Sequence, residues 1–171
     1  YTYFMEMGSK LITFQAIELL KILQEKNIQL YSAESFTGGL FSYHITSISG
    51  SSRSFILGIV TYSNHSKKDL LDIPEIILKK YGSVSEKVSI LMAKNIIKNY
   101  SKSDNYISVS STGLAGPEGG NIFKPVGTTF FSFNFNGSIK TIKKKFNNLD
   151  RTEIRKRSVE LMISEALRII K

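Results

Sequence analysis

Two residues in this sequence combine useful chemistry with useful placement: Ser35 in AESFTGG (33–39) and Lys67 in TYSNHSK (61–67). Ser35 falls just past a predicted strand and just before a predicted helix start. A serine there can stand clear of a sheet, with nearby backbone N–H groups facing a reacting oxygen. The same placement suits a helix-capping serine followed by turn glycines, and the residues alone leave both roles open. The segment is not a G-x-S-x-G elbow, so the α/β-hydrolase reading does not apply. A serine nucleophile needs a base. His44 lies in a helical stretch beside Tyr43 and Ile45, where packing or surface exposure is expected, and His65 shares its turn with Lys67 and Lys68. A desolvated lysine can stay neutral and accept a proton. Lys67 sits one short turn past a strand and can reach back over the strand ends, whereas Lys68 points elsewhere and is expected in solvent. A solvated Lys67 is the competing reading. No serine precedes a lysine by three positions, which removes the S-x-x-K arrangement.

Two further segments could meet an anion. The loop STGLAGPEGG (111–120) exposes backbone N–H groups through its glycines. It matches neither the dinucleotide nor the P-loop fingerprint. Asp150, Arg151 and Arg155 open the last predicted helix, where Arg151 could grip a phosphate bidentately or lie on a solvated face.

Composition narrows the classes. The chain has 171 residues, 42% of them apolar and 22% charged, which suits one packed domain spanning 1–171 and not a disordered segment. Residues 1–10 are expected to be a flexible or expression-derived start. There is no cysteine and there are only two histidines, so disulfides, thiolate zinc sites, a cysteine nucleophile and a histidine-rich metal cluster are excluded. No cofactor is expected. No apolar run reaches the length of a membrane span, and the start lacks the pattern of a signal peptide, so no membrane partner and a cytoplasmic location are expected. The formal charge is +9, and residues 138–171 hold ten basic and four acidic side chains. That basic segment raises a nucleic-acid accessory domain as a rival class. It holds a single aromatic, Phe146, which argues against base stacking. Lysines outnumber arginines 18 to 5 beside many Ile and Asn, so compositional drift accounts for much of the excess.

The elements that must position these residues follow from periodicity. Ile12, Ala16, Leu19, Leu20 and Leu23 predict a helix over 12–26. A strand is expected at 28–33, a helix at 37–47, and a strand buried on both faces at 55–62 (FILGIVTY). Short helices flank Pro74. GSVSE (82–86) opens a helix running to about 99, with Ser83 and Glu86 spaced as a capping box and Ser85 as the other candidate cap. Residues 106–111 read as a strand, and 126–135 and 138–146 as a hairpin joined at Asn136-Gly137. Asp150 can cap a final helix. The order α-β-α-β-α-α-β-β-β-α predicts a three-layer α/β/α domain with a mixed sheet and a C-terminal β-hairpin followed by a helix. Ligands in such sheets bind beyond the carboxyl ends of strands, which is where 33–39, 61–67 and 111–120 fall.

Taken in order, AESFTGG, GSS, GIVTYSNHSK, GSVSE, TGLAGPEGG, KPVGT and DRTEIR resemble the CinA C-terminal domain family from about residue 12 to 170. The resemblance implies a three-layer α/β fold and a serine-lysine amidohydrolase that deamidates nicotinamide mononucleotide (NMN) to nicotinate mononucleotide and ammonia. It implies Ser35 as nucleophile and Lys67 as general base. Tyr62, Thr112 and Arg151 match positions the family associates with the active site, and Gly50 of GSS and Gly113 of TGLAG are expected beside the substrate. The oxyanion would be held by backbone N–H groups after Ser35 or in the GSS turn. The partners implied are the small-molecule substrate and further copies of the chain in a homo-oligomer. A non-catalytic nucleotide-binding domain of the same family is the alternative. Two positions depart from the family pattern: Phe36 replaces the usual cysteine, and Leu149 replaces the glycine common before the Asp-Arg pair.

Overall fold

The computed structural model describes the backbone from Thr2 and the side chains from Leu11 to Lys171. The side chains of residues 1–10, expected to be a flexible or expression-derived start, lie outside the described residues.

Five strands form one sheet in the order β2-β1-β3-β4-β5. They are β1 (Gln29–Glu34), β2 (Phe55–Val60), β3 (Tyr106–Gly113), β4 (Thr128–Phe135) and β5 (Ser138–Lys145). β1 pairs parallel with β2 and β3, and β4 pairs antiparallel with β3 and β5, so the sheet is mixed. The helices are α1 (Thr2–Glu25), α2 (Leu40–Thr46), α3 (Asn64–Leu71), α4 (Glu75–Tyr81), α5 (Glu86–Tyr100) and α6 (Arg151–Ile170). A 3-10 turn occupies Ser51–Arg53. The expected α/β order is present.

Alternation along β1 divides the core. Leu30 on one face joins α1, α2 and α6 around Leu19, Leu23, Phe41, Ile45, Met162 and Ile163. Tyr31 and Ala33 on the other face join α3, α4 and α5 around Leu71, Ile73, Val88 and Met92. Helices thus cover both faces, giving three layers. Under α5, β3 carries short hydroxyls at Ser108 and Ser110. Ser108 Oγ donates to the Ala93 carbonyl at 2.6 Å and Ser110 Oγ to the Ser89 carbonyl at 2.7 Å. These bonds satisfy buried hydroxyls and let the helix approach closely. Among the described residues no helix is long and apolar enough to cross a membrane.

Three expectations need correction. The run at 55–62 is not buried on both faces: β2 is an edge strand whose side chains alternate between half-buried and exposed, with Ile56 and Val60 in solvent. The helix expected from Thr37 begins only at Leu40, because Gly38 (φ 61°) and Gly39 (φ 87°) take left-handed conformations that hold the chain in a turn. The capping box expected at Ser83 and Glu86 does not cap α5. Ser85 is the cap and accepts from Val88 N–H at 3.3 Å, while Ser83 gives its carbonyl to Thr112. A capping box does occur at the start of α3, between Ser63 and Ser66.

Candidate active site

Strand register builds the site. Ala33 pairs with Ile59 on β2 and with Ser110 on β3, so two residues further along Ser35 sits between Thr61 and Thr112. The pairing continues past the strand ends: Ser35 N–H donates to the Ser111 carbonyl at 3.0 Å and Thr61 N–H to the Glu34 carbonyl at 2.8 Å. All three side chains follow the parity of Tyr31 and Ala33, toward the layer of α3, α4 and α5. That layer supplies the lysine. Ser63 caps α3, which fixes where the helix starts and places Lys67 one turn in, on its buried side.

Lys67 is only 1% exposed. Its Nζ donates to the Thr61 carbonyl at 2.6 Å and to Ser35 Oγ at 3.0 Å. No carboxylate pairs with it among the described residues. Burial in low dielectric disfavours the ammonium, and its pKa falls from 10.5 to about 8. Lys68, next in sequence, is exposed. His65 is exposed as well, with Nε2 3.0 Å from Asp69 Oδ2, so neither reaches Ser35. His44 is half-buried on α2, in the opposite layer, with burial pushing its imidazole pKa down.

A cavity of about 230 Å³ opens over Ser35 and Lys67, lined also by Phe36, Tyr62, Thr112, Gly113, Gly116, Glu118 and Arg151. The structure thus brings together six of the seven expected residues: Ser35, Lys67, Tyr62, Thr112, Gly113 and Arg151. Gly50 is not among them. It precedes the 3-10 turn that leads into β2, and β2 runs parallel to β1, so Gly50 lies at the opposite end of the sheet from Ser35. The GSS turn is placed away from the cavity for the same reason, leaving the Ser35–Gly39 turn as the one beside the serine. In that turn the N–H groups of Phe36, Thr37 and Gly39 have no acceptor among the described residues. A larger recess of about 330 Å³ lies between α3 and α4, but its polar lining residues, Asn64, His65, Lys68, Glu75 and Lys79, are all solvated.

Arg151 is the first residue of α6, where Asp150 accepts from Glu153 N–H at 2.8 Å and sets the helix start. Its guanidinium donates to the Gly116 carbonyl at 2.9 Å and to the Tyr62 hydroxyl at 2.8 Å. Those bonds occupy two of five N–H groups and hold the cation over the cavity rim, with donors to spare for an anion. Thr112 donates its hydroxyl proton to the Ser83 carbonyl at 2.7 Å, which leaves its oxygen able to accept.

Both departures from the family pattern are accommodated. Phe36 is 4% exposed and packs on Phe131 with ring centroids 6.2 Å apart. Space for the ring exists because residue 113 is glycine: a Cβ there would stand 2.9 Å from Phe36 Cε1 and 2.7 Å from Thr129 Cγ2. Leu149 packs against the core, and the left-handed conformation of the turn is taken one residue earlier, by Asn148 at φ 56°. Asparagine tolerates that region better than most side chains.

Residues to which sequence reasoning assigned no role of their own also meet here. Thr61 contributes a carbonyl to Lys67, which strand parity could have revealed. Arg155, a turn after Arg151, donates to the Thr37 carbonyl at 2.8 Å. Glu34 is fully buried beneath the same turn.

The sequence profile of the CinA C-terminal domain matches residues 13–170. The chain is 49% identical to a CinA-like protein of Prochlorococcus marinus (strain MIT 9312) over 89% of its own length and 35% of the relative's. It spans about a third of the length of such CinA-like relatives. It is 39% identical to the nicotinamide-nucleotide amidohydrolase PncC of Enterobacter agglomerans, over 95% of this chain and 97% of that protein. The crystal structure of competence/damage inducible protein CihA from Agrobacterium tumefaciens superposes with a TM-score of 0.89 at 30% identity, covering 94% of this chain and 96% of that one.

The chain belongs to the CinA C-terminal domain family.

Proposed function

We propose that this chain hydrolyses the carboxamide of NMN through a Ser35 acyl-enzyme, with Lys67 as the base. The single observation that carries the reading is the 3.0 Å approach of a buried lysine amine, with no carboxylate partner among the described residues, to Ser35 Oγ. The full-length similarity to a nicotinamide-nucleotide amidohydrolase supports the choice of substrate.

With a pKa of about 8, roughly a tenth of Lys67 is neutral at pH 7. In that form one N–H continues to the Thr61 carbonyl while the lone pair accepts the Ser35 proton. Ser35 Oγ attacks the carboxamide carbon, and the free N–H groups of the Ser35–Gly39 turn hold the oxyanion. Protonated Lys67 gives its proton to the departing ammonia as the C–N bond breaks, leaving a nicotinoyl ester on Ser35. Neutral Lys67 then takes a proton from water, the hydroxide attacks the ester, and the proton returns to Ser35 as the acid leaves. Arg151 meets the 5′-phosphate.

Ammonia release on adding NMN to the purified protein tests the reading directly. Ser35→Ala is expected to lower turnover by at least about a thousand-fold while leaving the thermal unfolding transition in place. Near-normal turnover by folded Ser35→Ala protein would overturn it.

A further inference from the structure

Glu34 is a fully buried carboxylate that the proposed mechanism does not use. It immediately precedes Ser35 but faces the opposite way, toward α2, because strand side chains alternate. Its Oε2 accepts from Phe41 N–H at 3.1 Å. Its Oε1 accepts from Ser42 N–H at 2.9 Å and from Ser42 Oγ at 2.7 Å. Ser42 Oγ lies 3.0 Å from Ser32 Oγ and, having donated its proton to Glu34, accepts there. The carboxylate therefore joins the last residue before the Ser35–Gly39 turn to the first residues after it. The turn itself is short, contains two left-handed glycines, and is held elsewhere by Thr37 Oγ1 to Ser111 Oγ at 2.7 Å and by Arg155.

We infer that Glu34 is a positioning residue for the nucleophile: its bonds to the start of α2 clamp both ends of the turn and fix Ser35 Oγ against Lys67. The inference rests on Ser35 being the nucleophile. Buried carboxylates with several good donors are strong, geometrically exacting anchors, so a clamp of this kind tolerates little displacement. A shift of about 1 Å at a reacting atom is enough to slow chemistry a hundred-fold. Substrate binding, which uses the cavity rim, is unaffected by the clamp.

Glu34→Gln keeps the shape but sets an amide NH2 against one of the N–H donors. It is expected to lower kcat for NMN at least ten-fold with KM within about two-fold, and to slow covalent labelling of Ser35 by a fluorophosphonate probe in the same proportion. Ser42→Ala, which removes one of the three bonds and spares the backbone donors, is expected to slow labelling about three-fold. If Glu34→Gln does not fold, Ser42→Ala alone decides. Labelling and kcat at wild-type rates in folded Glu34→Gln, or in Ser42→Ala where only that variant folds, would overturn the clamp. So would a KM that rises while kcat holds. Ser35→Ala serves as the control: if it is labelled as fast as wild type, the nucleophile assignment fails; if it stays unlabelled, only the clamp is in question.

Discussion

Two turns in this protein look alike in sequence and do different work. Ser35–Gly39 and Gly50–Ser52 each combine serine with left-handed glycine beside a helical start. The first follows β1 and the second precedes β2, so a parallel pair of strands sends them to opposite ends of the sheet. At the first turn the next helix over delivers a buried amine to the serine. At the second, Ser51 accepts a turn bond from Ser54 N–H through its carbonyl, Gly50 receives Gln24, and no cation is buried. Serine and glycine at a turn are therefore a local structural signal. What distinguishes Ser35 from Ser51 is the non-local arrival of a desolvated amine.

The sharpest way to break that distinction is at the base. Lys67→Arg keeps the positive charge but cannot lose its proton at ordinary pH. It is expected to be as inactive as Lys67→Ala, at least about a thousand-fold below wild type, while Lys68→Ala stays within two-fold. Substantial NMN deamidation by Lys67→Arg would make the lysine a fixed charge. The pH dependence has a definite sign. In the proposed mechanism the neutral amine is the active form, so the wild-type rate should climb with pH and level off above about 8. Stability follows the same group. Between about 8 and 10.5 the folded chain binds fewer protons at Lys67 than the unfolded chain, so its contribution to stability rises with pH across that window and is least below it. Lys67→Met should remove this rise in denaturant titrations.

The rim residue gives the next effect. Arg151→Ala deletes charged donors whose bonds to an anion are worth about 1.5–3 kcal/mol. KM for NMN is expected to rise roughly 10- to 100-fold, with KM for nicotinamide riboside, which lacks the phosphate, nearly unchanged. Equal losses for both substrates would remove the phosphate role.

Much of this arrangement is legible in the sequence. Period-3.6 and period-2 patterns place the helices and strands in the observed order, and Asn136-Gly137 marks the hairpin. Ser35 and Lys67 stand out once the strand ends are known. What the sequence conceals depends on partners far away in the chain. FILGIV reads as a buried strand, yet its exposure is set by its place at the sheet edge, which no local pattern encodes. Gly50 resembles Gly38 until the direction of β2 is fixed. Glu34 reads as an ordinary acidic residue because the α2 backbone groups it holds acquire their positions only when the turn folds back.

The smallest effects come from methyl groups added at two glycines, and they should separate in kind. At Gly50 the backbone has φ 80°, a region disfavoured for side chains, and the nearest obstacle to a Cβ is the mobile end of exposed Arg53, 2.9 Å away. Gly50→Ala is therefore expected to lose about 1 kcal/mol of stability from backbone strain with kcat and KM unchanged. At Gly113 the backbone is ordinary β3 strand, and the obstacles are Thr129 and the Phe36 ring, both buried. A methyl there must displace Phe36, which forms a wall of the cavity next to Ser35. Gly113→Ala should destabilise by about 1–3 kcal/mol through overpacking and also lower kcat/KM for NMN several-fold. Thermal unfolding and NMN kinetics on the two variants, measured side by side, decide it. If Gly50→Ala damaged catalysis as much as Gly113→Ala, the two ends of the sheet would be functionally coupled and the separation of the two turns would fail.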